Sequence, residues 1–362
     1  MRVSSFKSMR SRRPPIIPRL LVAPLLAAVA LAGAGCGSAG RDTSGPGAAP
    51  TSTASATSST TTATTNPTSS TSSTSSTTRT AALPGYGKPT VTIGDKNYTE
   101  QFILGELYQQ ALQAQGFSIE LDRNIGPTDV TLPALASGRL AMYPEYLNVF
   151  NATIAGDQRQ FRTSLDAYQA AQRYALSHGL QLLDPTPFSD TDAIGVTVGY
   201  ALANHLNSIG DLGRVAPKLT IGGTPQFQQS STGLPAIEQT YGFIPATYQA
   251  LAVGAQYPAL DAETIQAGDL NTTDAQLASG DYRLLADPRD VFGWGNVVPV
   301  VSTQALAAEG PVFASTINRV SELLTTPVMR QLNQDVDVSQ QDPAAVATQF
   351  LETHGVIAPP PP

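Results

Sequence analysis

From Leu83 onward the chain alternates between short β-rich runs and longer stretches whose apolar residues recur at helical spacing. Val91-Thr-Ile-Gly94 predicts a strand entering a glycine-containing loop. Thr99 predicts the cap of a following helix, on which Phe102, Ile103, Leu107 and Leu112 share one face. Gly116-Phe117 ends that helix, and residues 118–122 alternate as a strand. A helix over 129–136 stops at Ser137-Gly138, before the apolar run 140–142. The rhythm then restarts. Residues 193–198 read as a strand, 204–212 as helical turns, and 219–221 as a strand running into Gly222-Gly223. A helix from about Gly233 to Tyr241, a strand at 264–268 and a helix at 273–279 follow. This repetition predicts an α/β fold with largely parallel sheets. Two halves of comparable size, with the last helices returning to the first, predict a two-lobed body with a ligand cleft between the lobes. Ligands of open α/β sheets sit beyond the carboxyl ends of the strands. The loops carrying Lys96, Tyr146, Asp192 and Asn271 are therefore expected to converge.

The segment before Leu83 follows a different pattern. Residues 1–19 are basic, and an apolar run from Leu20 to Ala34, interrupted by Pro24, leads through small residues to Cys36. The run is shorter than the roughly 20 residues of a stable membrane span, and its layout describes a secretory signal over residues 1–35. Leu31-Ala-Gly-Ala-Gly-Cys36 resembles a bacterial lipobox, with Gly33 where a large aliphatic residue is usual. The resemblance implies lipidation of Cys36. Residues 36–82 are dominated by Ser and Thr, hold too little apolar surface for a core, and are predicted to be a disordered tether. The folded two-lobed domain is expected over 83–362, its first lobe at about 88–190 plus 299–360 and its second at about 191–298.

Composition narrows the chemistry. The chain carries 21 basic and 28 acidic residues, and six of the basic ones precede Cys36. The remainder is strongly acidic, which disfavours nucleic acid as a partner. A single cysteine excludes an internal disulfide and a Cys-based zinc site. His178, His205 and His354 stand in no metal-ligand spacing, and no nucleophile elbow, His-Glu-x-x-His pair or Walker loop is present. The chain is read as a non-enzyme that takes no cofactor and no metal.

Gly94-Asp-Lys96-Asn97-Tyr98-Thr99-Glu100-Gln101 is similar to the opening motif of osmoprotectant-binding proteins of ABC importers. The stretch from Leu135 to Tyr143-Pro-Glu-Tyr146, the segment Thr272-Thr273-Asp274-Ala-Gln-Leu277, Asn296-Val-Val-Pro-Val300 and the tail from Leu332 to Leu351 resemble that family in the same order. The resemblance implies a type II periplasmic-binding-protein fold whose lobes close on glycine betaine, choline, carnitine or proline betaine. Family members hold the quaternary ammonium with aromatic faces through cation–π attraction, and hold a ligand carboxylate with basic groups. Carried over residue by residue, Lys96 falls where a lysine reaches the ligand carboxylate and Tyr146 falls on a cage tyrosine. Asn97 and Tyr98 are expected to line the cleft. Other cage positions are substituted: a tyrosine by Asp192, another by Asn271, an arginine by Ser230, and a further tyrosine by Gly295, beside which Trp294 stands as a replacement.

The resemblance implies a monomeric extracytoplasmic lipoprotein, anchored outside the cytoplasmic membrane through Cys36, that delivers a small compatible solute to an ABC permease. The thinned aromatic box keeps two alternatives open. One is a sensing or scaffold lipoprotein of the same fold. The other is a receptor re-tasked to a more polar solute, because Asp192 and Asn271 suit a cation bearing N–H donors.

Overall fold

The computed structural model describes residues 82–359. The expected signal peptide, the expected lipidation site Cys36 and, apart from Ala82, the expected Ser/Thr-rich tether lie outside the described residues. Among the described residues ten strands form two sheets of five. The first lobe contains β1 (Val91–Gly94), β2 (Ile119–Asp122), β3 (Met142–Tyr146) and β4 (Leu180–Leu182). The second contains β5 (Asp192–Thr197), β6 (Thr220–Gly223), β7 (Thr247–Ala250), β8 (Ala267–Asn271) and β9 (Tyr282–Leu284), and β10 (Val297–Ser302) returns to the first. The spatial orders are β2-β1-β3-β10-β4 and β7-β6-β8-β5-β9.

Both faces of the first sheet are covered. Ile93 and Val297 join Ile103, Leu107 and Phe313 on one side, while Val298 and Val300 join Leu140, Tyr143 and Phe150 on the other. A strand buried on both faces reads as a continuous apolar run, which is why β10 is Val-Val-Pro-Val-Val-Ser. The second lobe packs Ile194, Val196 and Ile221 with Leu212, Leu219 and Ile237. The C-terminal helices Pro311–Leu323 and Pro343–Thr353 pack on helix Thr99–Ala114 of the first lobe.

The sheets are more mixed than the sequence pattern predicts. β1–β2, β1–β3, β6–β7 and β6–β8 are parallel, but β10 runs antiparallel to β3 and β4, and β5 runs antiparallel to β8 and β9. The chain passes from one lobe to the other just before each of these two strands, so each enters its new sheet from the cleft side. Those two passages run side by side. Ser189 and Asn296 form an antiparallel bridge, and the Asp190 N–H donates to the Gly295 carbonyl at 3.0 Å. A Cβ on Gly295 would lie 1.7 Å from the Asp190 carbonyl oxygen, so no larger residue fits between the two strands as they stand.

Local boundaries also differ. The first helix starts at Thr99 with Tyr98 at its cap position and no side-chain cap. The Thr99 hydroxyl donates instead to Asp337 at 2.7 Å, on the far helix Thr326–Asp337. The apolar run 140–142 lies largely before β3, and the strand expected at 264–268 is β8, three residues later. Residues 275–279 form a 3-10 turn in place of a full helix.

Candidate functional site

A cavity of about 560 Å³ lies where the lobes face each other. Tyr98, Thr99, Glu100, Asn333 and Asp337 line it from the first lobe. Asp192, Thr224, Phe227, Tyr257, Asp269 and Asp274 line it from the second, with Asp190 between. The sheet of the second lobe explains the placement. Thr224 follows the carboxyl end of β6, Asn271 ends β8, and antiparallel β5 begins at Asp192, so all three gather at one edge.

The sequence-derived residues divide into two pairs and three singles. Asp192 and Asn271 are register partners across β5 and β8, and both line the cavity. Tyr98 lines it from the opposite lobe. Lys96 and Tyr146 also meet, with the ammonium 5.6 Å from the ring centroid, but neither lines the cavity. Lys96 is buried in an ion pair with Glu145. Glu145 is itself fully buried and also accepts from the Thr128 hydroxyl at 2.9 Å and the Tyr146 N–H at 2.8 Å. A buried charge paired in this way contributes to the structure of the first lobe.

Tyr146 stacks against Tyr98 with centroids 6.0 Å apart and donates its hydroxyl to Glu100 at 2.7 Å. It backs the ring that does face the cavity. Asn97 is exposed outside the lining. Trp294 packs on the first-lobe core, its indole N–H donates to the Phe161 carbonyl at 3.0 Å, and it is not among the residues lining the cavity.

Residues that were not named as site candidates add to the lining. Tyr257 and Phe227 supply aromatic surface, and Leu270 apolar surface. The carboxylates are the larger group: Glu100, Asp190, Asp192, Asp269, Asp274 and Asp337, with no Lys or Arg among the lining residues. Asp274 is held by the Tyr257 hydroxyl at 2.7 Å and the Asn271 N–H at 2.9 Å. Glu100 accepts from Tyr146 and, at 2.9 Å, from Asn333. Arg330 stands behind the wall, its Nε–H donating to the Thr272 carbonyl at 2.7 Å.

Burial and mutual repulsion act on these acids together. Burial pushes Asp269 up to about 8, with the charges of Asp192 and Asp274 adding to it. Burial raises Asp190 well above the usual carboxylate range, with Glu100 reinforcing it, and raises Glu100 itself. Burial also raises Asp192 and Asp274. Low-dielectric surroundings disfavour the anions of Glu100, Asp190, Asp192, Asp269 and Asp274, with Arg330 behind the wall offsetting part of the effect at Asp274, so a cation placed among them would be held. Among the described residues no group of three or more His, Cys, Asp or Glu is arranged to hold a metal ion. No described helix is long and apolar enough to cross a membrane.

The profile of the substrate-binding domain of ABC-type glycine betaine transport systems matches residues 89–353. A glycine-betaine-binding protein of Pseudomonas aeruginosa is 30% identical over 286 residues, spanning 74% of this chain and 89% of that protein. The glycine betaine-binding protein YehZ of Escherichia coli is 28% identical over 287 residues, spanning 76% of this chain and 93% of YehZ. The crystal structure of a glycine betaine/carnitine/choline ABC transporter component superposes with a TM-score of 0.69 at 24% identity. That match covers 74% of this chain and 99% of the other. Apo YehZ superposes with a TM-score of 0.66 at 27% identity, covering 74% and 99%.

Proposed function

We propose that this chain, which belongs to the family of substrate-binding domains of ABC-type glycine betaine transport systems, captures a small organic cation between its lobes and delivers it to an ABC permease. The observation that carries the choice of ligand is the lining of the cavity: six carboxylates and no Lys or Arg. A zwitterionic betaine would bring a carboxylate with no basic partner waiting for it, so the site favours a net organic cation over glycine betaine itself.

The same lining supplies the mechanism. Glu100 and Asp337 belong to the first lobe, and Asp192, Asp269 and Asp274 to the second, so approach of the lobes brings like charges together. A cation seated between them reverses the sign of that interaction and favours the closed arrangement. Tyr98 from one side and Tyr257 and Phe227 from the other present aromatic faces, each worth about 0.5–2 kcal/mol to a well-placed cation. Pairing of the Ser189 and Asn296 segments gives the lobes a short, two-stranded connection about which to close. The closed form is the one the permease would recognise, with the receptor tethered to the outer face of the membrane through a lipid on Cys36 and working as a monomer.

Thermal unfolding of the full chain tests the assignment against choline, carnitine, glycine betaine, proline betaine and neutral sugars. A solute at about 100 times its Kd adds about 2.7 kcal/mol. The assignment expects the largest shift from a net cation. A shift from sugars alone would refute it.

A further inference from the structure

Four side-chain oxygen atoms buried in this site accept no hydrogen bond: Asp190 Oδ1, Gln256 Oε1, Asp269 Oδ1 and Asn333 Oδ1. All four residues line the cavity, and Gln256, Asp269 and Asn333 are only 6%, 7% and 6% exposed. The orientation of Asn333 is fixed by its own amide. Its Nδ2 donates to Glu100 and to the Thr273 carbonyl, both at 2.9 Å, so the atom left over is an acceptor. The unpaired atoms are therefore acceptors on both lobes and on the segment that joins them. Buried acceptors without donors are rare in folded proteins, and each of these points to a donor on whatever fills the cavity.

A quaternary ammonium presents only C–H groups and cannot donate to them. We infer that the solute of this cleft bears N–H donors, a protonated primary amine or an α,ω-diamine, with one ammonium donating to Asp269 Oδ1 and Asp190 or Asn333 accepting from the same or the second nitrogen. This rests on the proposed function and narrows its ligand class.

Charge supports a diamine over a monoamine. Asp274 is held by Tyr257 and the Asn271 N–H, Asp337 by Thr99, and Glu100 by Tyr146 and Asn333. Asp192 and Asp269 accept from no side chain among the described residues and Asp190 only from Thr273, so three carboxyl groups remain to be answered, more than one ammonium engages. Burial together with these neighbouring charges already pushes Asp269 up to about 8, and an ammonium against it would restore the anion. The aromatic rings do not compete with this reading, because Tyr98, Tyr257 and Phe227 pack equally well on the methylene chain of a diamine.

Isothermal titration calorimetry of the full chain with 1,4-diaminobutane, choline, glycine betaine and a neutral sugar decides the matter. The expected result is a Kd for 1,4-diaminobutane about tenfold or more below that for choline. Asp269→Asn, which keeps the shape of the side chain, is expected to weaken the diamine by about tenfold and choline by much less. Asp192→Asn, at a more exposed position, is the second variant and is expected to act in the same direction. Tighter binding of choline or glycine betaine than of the diamine would overturn this inference and leave a receptor of the family's solutes standing. Diamine binding indifferent to both variants would overturn it as well. Heat from the neutral sugar alone would remove both this inference and the proposed function.

Discussion

The Tyr146 hydroxyl donates to Glu100 Oε1 at 2.7 Å, and this bond ties a tyrosine to the wall of the cleft rather than to its contents. Tyr98, stacked 6.0 Å from it, is the ring left to meet a solute. The two tyrosines should therefore respond differently to truncation. Tyr98→Ala is expected to weaken binding of an organic cation by about 0.5–2 kcal/mol, roughly two- to thirtyfold in Kd, with a small change in stability. Tyr146→Phe is expected to leave affinity within a few-fold and to cost about 1–3 kcal/mol of stability, because buried Glu100 loses a donor. Calorimetric affinities and denaturant midpoints measured on both variants check the division.

Lys96 offers a second contrast. Its partner Glu145 is fully buried, and removing one member of such a pair is expected to cost about 3–5 kcal/mol. Lys96→Met should lower the denaturation midpoint sharply while the fraction that remains folded binds its solute with nearly unchanged affinity. A large loss of affinity with normal stability would instead return Lys96 to the ligand.

The acids of the cleft make the empty protein sensitive to pH. The folded-state value of Asp269 is raised to about 8 from 3.8, so between about pH 4 and pH 8 the folded protein keeps a proton that the unfolded chain has released. The contribution is most favourable at the acid end and is lost as pH rises through about 8. Desolvation of the anion causes it, the charges of Asp192 and Asp274 add to it, and a hydrogen bond from the Thr224 backbone opposes it. Thermal unfolding at pH 5 and pH 8 should show Asp269→Asn more stable relative to the parent at pH 8 than at pH 5. Over the same window, cation affinity should rise with pH as binding displaces the proton.

Gly295 fixes how the two lobe-joining segments lie against each other. Gly295→Ala would place a methyl group 1.7 Å from the Asp190 carbonyl oxygen, where only a shift of the backbone makes room. The expected result is a loss of stability of roughly 2 kcal/mol or more together with weakened binding, since Asp190 moves with the strand. Far-ultraviolet melting and titration of the same sample check both.

The alternation of β and helical spacing was enough to place β1, β2, β6 and the helix after β1, because each combines a clear period with a glycine or a loop at its end. It was not enough for β3, whose Met-Tyr-Pro-Glu-Tyr carries a proline and an acid in a fully buried strand. The reversal of β5 and β10 has no local signature, being a consequence of where the chain crosses between lobes. Position along the motifs and strands was enough to bring Tyr98, Asp192 and Asn271 to the cavity wall. Lys96 is drawn away from the cavity wall by a counter-ion that lies 49 residues away in sequence and leaves no local signature. Asp269 was hidden within a strand whose position had been read three residues early, and Asn333 within a helix that gave no sign of facing the second lobe.

Charge is the central claim, and it is tested by comparing choline with 3,3-dimethylbutan-1-ol, its neutral isostere, in thermal unfolding of the full chain at equal concentration near pH 8. The two molecules share shape and hydroxyl group and differ in the positive centre. A cleft of six carboxylates without a lining base predicts a clear stabilisation by choline and almost none by the alcohol. Equal stabilisation by both, or a larger effect of the alcohol, would contradict the account.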